Sequence, residues 1–457
     1  MSGEKKTDIL NKQGVQIIRL QRITEDDVDR AIKKLKNKRS LGPDGIPSYV
    51  YKGLREFLLK PLTHIYNLSI STNTFSNIYK LTKVTPVPKT EDNTEVSNHR
   101  PIAQPSVPAK IFESIIREQI FVQIQNCITV SQHGFYTGKG VNTNLACFVQ
   151  YVSEQIDAGL QVDTIYTDFQ KAFDRVNHEI LIEKMGDMEF TRETLQVFKS
   201  YLKGRTQYVK YKDCESKKTE CPSGVPQGSN LGPLLFLIFI NDIEKEIRHS
   251  RVLIYADDLK LYRKVENDRD CALLQEDINS LVAWSNSNKL LFNVKKCEKI
   301  TYTRKTLNVI NHTYSMRGET LRKTEQVTDL GILMDGRMDF SKNICEQMRK
   351  ARRMLGFIMR TSKNFKKIET LKILYYAFVR SHLEFGSLVW NPASKSLSEK
   401  VETIQKRFLR YLYYKLFEYY PIDVVYGDLL RGFEMLALEK NTCSYYVLVR
   451  HIRGEGD

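Results

Sequence analysis

The sequence predicts an α+β chain of two or three packed subdomains, on three observations. Helical stretches with a period near 3.6 alternate with short β-rich stretches over the first two thirds. The last part, from about Asn343, is mainly helical and basic. At 457 residues the chain exceeds the roughly 100–200 that one compact core organises, so it has room for a cleft. The expected division is a lead-in over 1–21, then regions 22–160, 161–340 and 341–457.

Residues 1–21 carry no clear period and read as a loose lead-in. From Ile23 the pattern sharpens: Thr24 caps a helix whose apolar face is Val28, Ala31, Ile32 and Leu35, and the run Ser40-Leu41-Gly42-Pro43-Asp44-Gly45 breaks it. A second helical stretch covers about 49–72. The alternation and prolines of 84–89 predict an edge strand, followed by a polar loop over 90–99. After Arg100-Pro101-Ile102, a helix places Ile111, Phe112, Ile115 and Ile116 on one side, and a glycine-bearing loop spans 134–140. Thr164 to Thr167 is β-rich and ends at Asp168, 191–202 is helical, and Tyr208 to Tyr211 is again strand-like. There is no internal repeat and no low-complexity tract.

Charge is the unusual part of the composition: 70 basic against 54 acidic residues leave a net +16, which suits a polyanionic partner. Between Cys345 and Lys367 eight basic residues (Arg349, Lys350, Arg352, Arg353, Arg360, Lys363, Lys366, Lys367) meet one acid, Glu346, so the charge forms a stripe. The eight cysteines show no C-x-x-C pair and no histidine at zinc-ligand spacing, and read as reduced thiols of an intracellular, nuclear or cytoplasmic protein. The N-terminus has no apolar signal core, and the longest apolar run, 234–240, is far short of the roughly 20 residues that span a bilayer. Neither secretion nor membrane insertion is expected.

The sharpest local feature is 252–262, two short apolar strands joined at Asp257-Asp258. A hairpin turn prefers Asn-Gly or Asp-Gly; Asp-Asp offers no glycine and sets two like charges together. A divalent cation supplies the compensation, since hard Mg²⁺ prefers carboxylate oxygens and leaves positions for waters and phosphates. Asp168, at the end of its own apolar strand, is the candidate third carboxylate, so that two ions sit about 3.5–4 Å apart, one activating a 3′-hydroxyl and the other steadying a triphosphate. The competing reading is a solvated acidic turn and an ordinary strand end. The glycine-punctuated loop 222–233, with Gln227 as donor and acceptor, opens onto an apolar helix, about 234–246, whose Phe236, Leu237, Phe239 and Ile240 read as core.

Three motifs in order, Thr167-Asp168-Phe169-Gln170-Lys171-Ala172-Phe173-Asp174, then Gly224-Val225-Pro226-Gln227-Gly228, then Tyr255-Ala256-Asp257-Asp258, resemble those of reverse transcriptases. The runs Ser40-Leu41-Gly42-Pro43-Asp44-Gly45-Ile46, Arg100-Pro101-Ile102, Lys171 to His178 and Gly232-Pro233-Leu234-Leu235-Phe236 narrow the resemblance to non-LTR retrotransposon polymerases of the jockey type, from about Ile23 to the C-terminal helices. The resemblance implies a right-hand architecture: fingers in 22–160, an antiparallel-sheet palm in 161–340 and a helical thumb in 341–457. It implies an RNA template, a DNA primer, dNTPs and two Mg²⁺ ions, with Mn²⁺ as the alternative.

Residue by residue, the resemblance makes Asp168, Asp257 and Asp258 the catalytic carboxylates and the Phe169 carbonyl an extra metal ligand. Phe173 matches the bulky residue beneath the sugar that clashes with a ribose 2′-hydroxyl; its other reading is a core phenylalanine. Gln227 lies against the incoming nucleotide, Lys89 and Arg100 hold its triphosphate, and Lys296, chosen over Lys295, matches the later palm lysine that protonates pyrophosphate. Thr328-Asp329-Leu330-Gly331-Ile332 resembles the turn that grips the primer end, where related enzymes often carry tyrosine in place of Asp329. Beyond it, a helix with Ile344, Met348, Ala351, Leu355 and Ile358 on its apolar face presents Arg349, Lys350, Arg352 and Arg353. A second, with Val401, Ile404, Phe408 and Leu412, presents Lys406, Arg407 and Arg410. Both suit a thumb set against duplex phosphates, or are amphipathic and merely solvated.

The 22 residues before Ile23 leave no room for the endonuclease that such relatives carry, no zinc knuckle follows the thumb, and the last 117 or so residues do not read as an RNase H domain. A truncated element copy or a gene-derived fragment is the expectation, and the sequence does not distinguish the two. Two other functions compete: a catalytically silent or domesticated nucleic-acid-binding remnant, and an RNA-copying RNA polymerase, against which Phe173 and the absence of Gly-Asp-Asp argue. Oligomeric state is not legible.

Overall fold

The computed structural model describes residues 17–89, 94–391, 395–422 and 424–438. They form two compact units interleaved along the chain: the first takes Met1–Phe135, Asp168–Arg248 and Asn279–Asn293, the second Tyr136–Thr167, His249–Ile278 and Val294–Asp457. Helices and antiparallel-rich sheets share each unit, the α+β class expected from the sequence.

In the first unit the lead-in is tied down from Ile18, which is buried and whose backbone exchanges bonds with Glu189 and Thr191 at 3.0 and 2.9 Å. Thr24 caps the helix Glu25–Lys34 in a reciprocal box with Asp27, and Val28, Ala31 and Ile32 are buried as their spacing predicts. The helical stretch 49–72 is two helices, Ser48–Gly53 and Arg55–Ser71, parted at Leu54. The strand Leu81–Pro88 is not an edge strand along its whole length. Residues 82–84 lie between the antiparallel strand His99–Pro105 and the parallel strand Thr206–Tyr211. Only the half bearing Pro86 and Pro88 lacks the second partner, as the missing proline N–H requires. The helix Gly232–Ile240 is buried on all sides, at about 1.5–3 kcal/mol for each large apolar side chain, so Phe236, Leu237, Phe239 and Ile240 are core. It stops at Ile240, short of the expected 246: Asn241 turns its side chain to the backbone of Thr129 and Cys127, and a separate 3₁₀ turn, Ile243–Glu246, follows.

The second unit is built on a five-stranded sheet whose central strand, Gln161–Thr167, runs antiparallel to both neighbours, Asp258–Val265 and Glu298–Tyr302. Arg251–Tyr255 lies outside the former and Arg322–Thr324 outside the latter. The helix Val141–Asp157 covers one face, with Phe148 edge-on to Tyr262 and Tyr302. A hairpin, Gln326–Asp329 with Ile332–Asp335, leads to the helix Ser341–Thr361, and Lys395–Phe417 packs beside it. Their buried residues include all nine apolar positions the period predicts, from Ile344 to Leu412. Among the described residues no helix is long and apolar enough to cross a membrane, and none of the seven described cysteines forms a disulfide.

Candidate active site

In the second unit, strands Arg251–Tyr255 and Asp258–Val265 close with Tyr255 opposite Asp258. The turn is therefore centred on Ala256 and Asp257, not on the aspartate pair, and Asp258 is the first residue of the returning strand. A two-residue turn that follows the strand twist needs positive φ at one or both central positions. Here Ala256 takes it, at φ +57°, and Asp257 does not. An L-residue held there costs about 1–2 kcal/mol, and such strain concentrates at functional sites. Asp257 is half-buried and Asp258 exposed.

Two side chains fasten this hairpin. Asn144 donates from Nδ2 to the Ile254 carbonyl at 3.2 Å, and Thr167 from Oγ1 to the Leu259 carbonyl at 3.1 Å. Lys260, two residues beyond Asp258, is buried and ion-paired with buried Asp329. Tyr166 donates to the same carboxylate at 3.2 Å and meets the Tyr302 hydroxyl at 3.1 Å. Burial pulls the Lys260 ammonium below its usual pKa, with Asp329 acting against that pull. Asp329 ends its strand at a turn where Leu330 and Gly331 both take positive φ, +46° and +90°. Sequence reasoning missed this pair: a lysine in an alternating strand reads as solvent-facing, and only the register aims it inward.

In the first unit, Asp168 directly follows the strand Gln161–Thr167 and its carbonyl accepts from Asn293 N at 2.7 Å. Phe169 is buried, bridged to Phe292 and stacked on its ring at 4.4 Å. Lys171 then takes φ +51° and turns the chain into the 3₁₀ helix Ala172–Arg175. Phe173 stacks on Phe236 at 4.7 Å and meets Phe135 edge-on at 6.1 Å. Its carbonyl accepts from Val225 N at 2.8 Å, drawing the glycine loop onto it.

That loop is seated so tightly that two of its glycines have no room for a side chain. A Cβ on Gly224 would lie 2.6 Å from the Asp174 carbonyl oxygen, and one on Gly228 2.6 Å from that of Ala103; both take positive φ. The Gln227 carbonyl accepts from Ala103 N at 2.6 Å, so Gln227 is fixed to the strand that carries Arg100. Arg100 pairs with Val87 in the hairpin, and Lys89 follows one residue beyond that strand, its N–H bonded to the Asn98 carbonyl at 2.7 Å. Both side chains are exposed. Between loop and strand lies a cavity of about 240 Å³ lined by Pro101, Ala103, Asp174, Arg205 and Gln227. Burial pushes the Asp174 carboxyl above its usual pKa, and Lys171 and Lys89 pull it back. The first unit thus gathers Phe173, Gln227, Arg100 and Lys89 around one loop and one hairpin.

The profile of the reverse transcriptase (RNA-dependent DNA polymerase) family matches residues 87–359, more than half of the chain. The chain belongs to the reverse transcriptase family. Its curated relatives include polymerases of mobile elements. This reverse transcriptase is 27% identical over 406 residues to the RNA-directed DNA polymerase from mobile element jockey of Drosophila melanogaster, covering 86% of this chain and 44% of that protein. It is 26% identical over 403 residues to the probable RNA-directed DNA polymerase from transposon BS of the same fly, covering 85% and 44%. The chain therefore spans less than half the length of these relatives. Among solved structures, an apo telomerase from Candida tropicalis truncated from its C-terminal domain is similar at a TM-score of 0.39 and 13% identity, over 64% of this chain and 59% of that one.

The remaining sequence candidates of this reverse transcriptase lie in the second unit. Lys296 is exposed at the end of the 3₁₀ turn Val294–Lys296, just before the strand Glu298–Tyr302. On Ser341–Thr361, Arg349, Arg352 and Arg353 are exposed and Lys350 half-buried; Glu346 takes ion pairs from Arg349 at 2.8 Å and Lys350 at 3.7 Å, leaving Arg352 and Arg353 the stronger phosphate candidates. Lys406, Arg407 and Arg410 are exposed on Lys395–Phe417, with Lys406 over the Tyr426 ring. Burial, then the charges of Lys350 and Arg353, lowers the His382 pKa. Among the described residues no group of three or more His, Cys, Asp or Glu stands ready for a metal. Asp257 and Asp258 are adjacent in the second unit, and Asp168 opens a segment of the first.

Proposed function

We propose that the chain is an RNA-directed DNA polymerase of a jockey-type mobile element, extending a DNA primer on an RNA template with dNTPs. The observation that carries this reading is the hairpin at Tyr255-Ala256-Asp257-Asp258, where a strained non-glycine turn closes on two consecutive aspartates at a strand end. Covalent continuity supports Asp168 as the third: it leaves the strand whose last residue, Thr167, pairs with Leu259. Three carboxylates and the Phe169 carbonyl are hard oxygen donors, a set that fits Mg²⁺, with Mn²⁺ as the alternative. When bound, two such ions supply Lewis-acid activation of the primer 3′-hydroxyl and neutralise the leaving pyrophosphate.

The chain's own residues do the rest. Phe173, stacked on Phe236 and pinned through its carbonyl, has little freedom to swing aside, so a sugar above it must lack the 2′-hydroxyl. Gln227, fixed by its backbone to the strand of Arg100, lies against the incoming nucleotide, while Arg100 and Lys89 neutralise its phosphates. Lys296 supplies a proton to pyrophosphate. The positioning turn at Leu330-Gly331 holds the primer end, and Arg349, Lys350, Arg352, Arg353, Lys406, Arg407 and Arg410 hold duplex phosphates.

The test is primer extension by the purified chain on a primed RNA template with Mg²⁺. Extension with deoxynucleotides only, abolished in Asp257→Ala, is expected. Binding without extension, or incorporation of ribonucleotides at comparable rates, would overturn the proposal.

A further inference from the structure

The Lys260–Asp329 pair, one of two deeply buried ion pairs described in the second unit beside Lys299–Asp163, is a costly polar feature that the mechanism above does not use. Both side chains are nearly sealed from solvent, at 4% and 6% exposure. Lys260 also lies over the Phe148 ring, 4.6 Å from its centroid, and Tyr166 adds its hydroxyl to the carboxylate. Taking two charges out of water usually gains no stability over a well-packed apolar pair, so the cost calls for a return of another kind. A buried pair of defined geometry returns a fixed register between the two segments it joins.

Those segments are the two turns of the proposed site. Lys260 stands two residues after Asp258, hence on the same side of the strand. Asp329 is the last residue before the Leu330-Gly331 turn. The two turns are otherwise built alike, each on a non-glycine residue at positive φ, Ala256 and Leu330. Nothing apolar would hold them to one register as well, because an apolar contact tolerates sliding where a shared carboxylate oxygen does not.

We propose that the buried Lys260–Asp329 pair, braced by Tyr166, is a positioning element that locks the strand beginning at Asp258 to the Leu330-Gly331 turn, so that the carboxylate pair and the primer end stay in register. This rests on the polymerase reading given above. Lys260 and Asp329 touch neither substrate nor metal; they act through the turns they join. A second consequence follows from Asp329 alone: by holding Lys260, it keeps that ammonium from turning to Asp258, two residues back on the same side of the strand.

The test uses the full chain with the double variant Lys260→Met/Asp329→Leu, which removes both charges together and so avoids an unpaired buried ion. The expected result is a melting temperature no lower than that of the wild type and primer–template affinity within about threefold. The kcat for dNTP addition should fall by about tenfold or more with little change in the dNTP KM, as for an interaction realised in the transition state. Lys260→Arg should recover most of the rate. Mn²⁺ binding followed by electron paramagnetic resonance gives a readout independent of turnover. Affinity should hold in the double variant and weaken in Asp329→Asn, where the freed Lys260 competes for Asp258. A stable double variant with kcat within about threefold of wild type would overturn the proposal, and so would unchanged Mn²⁺ affinity in Asp329→Asn. If the wild-type chain itself does not extend a primer, the polymerase reading fails, and the Mn²⁺ comparison alone then decides the lock.

Discussion

Replacing Phe173 with alanine separates packing from selectivity in one variant. The ring is half-buried, stacked on Phe236 at 4.7 Å and edge-on to Phe135 at 6.1 Å. Full burial would make the truncation cost about 3–5 kcal/mol, and half-burial reduces it to about 2 kcal/mol. For a unit of this size, 1 kcal/mol moves the melting temperature by roughly 2–4 °C, so a drop of about 4–8 °C is expected by thermal melting. Removing the ring should open the space for a ribose hydroxyl, and one small group in an apolar site discriminates by about 10–200-fold. The ratio of kcat/KM for a ribonucleotide to that for its deoxynucleotide should therefore rise within that range while deoxynucleotide incorporation persists. A folded, active variant with an unchanged ratio would refute the steric role and return Phe173 to the core.

Three further outcomes are expected. Ala256→Gly should stabilise by about 0.5–1 kcal/mol in a denaturant melt, because relief of positive-φ strain exceeds the extra unfolded-state freedom of glycine; a loss of stability would contradict that turn geometry. Glu113 is wholly buried, accepting from Asn230 N at 2.8 Å and the Tyr201 hydroxyl at 3.2 Å, and burial raises its pKa despite Arg205. The folded state then holds a proton that the unfolded state releases above its ordinary pKa near 4.5, so stability declines as pH rises from there through the raised value. Glu113→Gln should flatten that decline in melts across pH 4–7, and parallel profiles would contradict it. Arg352→Ala and Arg353→Ala should each weaken duplex binding and lower the slope of log K against log salt by about one; an unchanged slope would make the stripe a merely solvated face.

Much of the fold was legible because its signals are local. The Thr24 cap, the buried faces running from Val28 to Leu412 and the β-rich run ending at Thr167 are set by spacing and side-chain chemistry within a few residues. What escaped depends on partners far along the chain. The edge strand extends back to Leu81, where Thr206–Tyr211, over a hundred residues away, pairs with it, and Lys260 found Asp329 sixty-nine residues on. The turn at Asp257-Asp258 stands out for its missing glycine, yet the register puts its centre at Ala256 and Asp257, and Ala256 takes the strain. The site motifs stood out for the same reason they are hard to place: glycines, adjacent acids and exposed cations break local rules, and only tertiary pairing says which side chains meet.

The most direct measurement is anomalous scattering from crystals of the chain with a primed RNA template, an incoming nucleotide and Mn²⁺. Two metal peaks about 3.5–4 Å apart are expected, held between the carboxylates of Asp168, Asp257 and Asp258 beneath the primer terminus. Peaks that leave Asp168 uncoordinated, or nucleotide bound with no metal at the Asp257-Asp258 turn, would contradict the account.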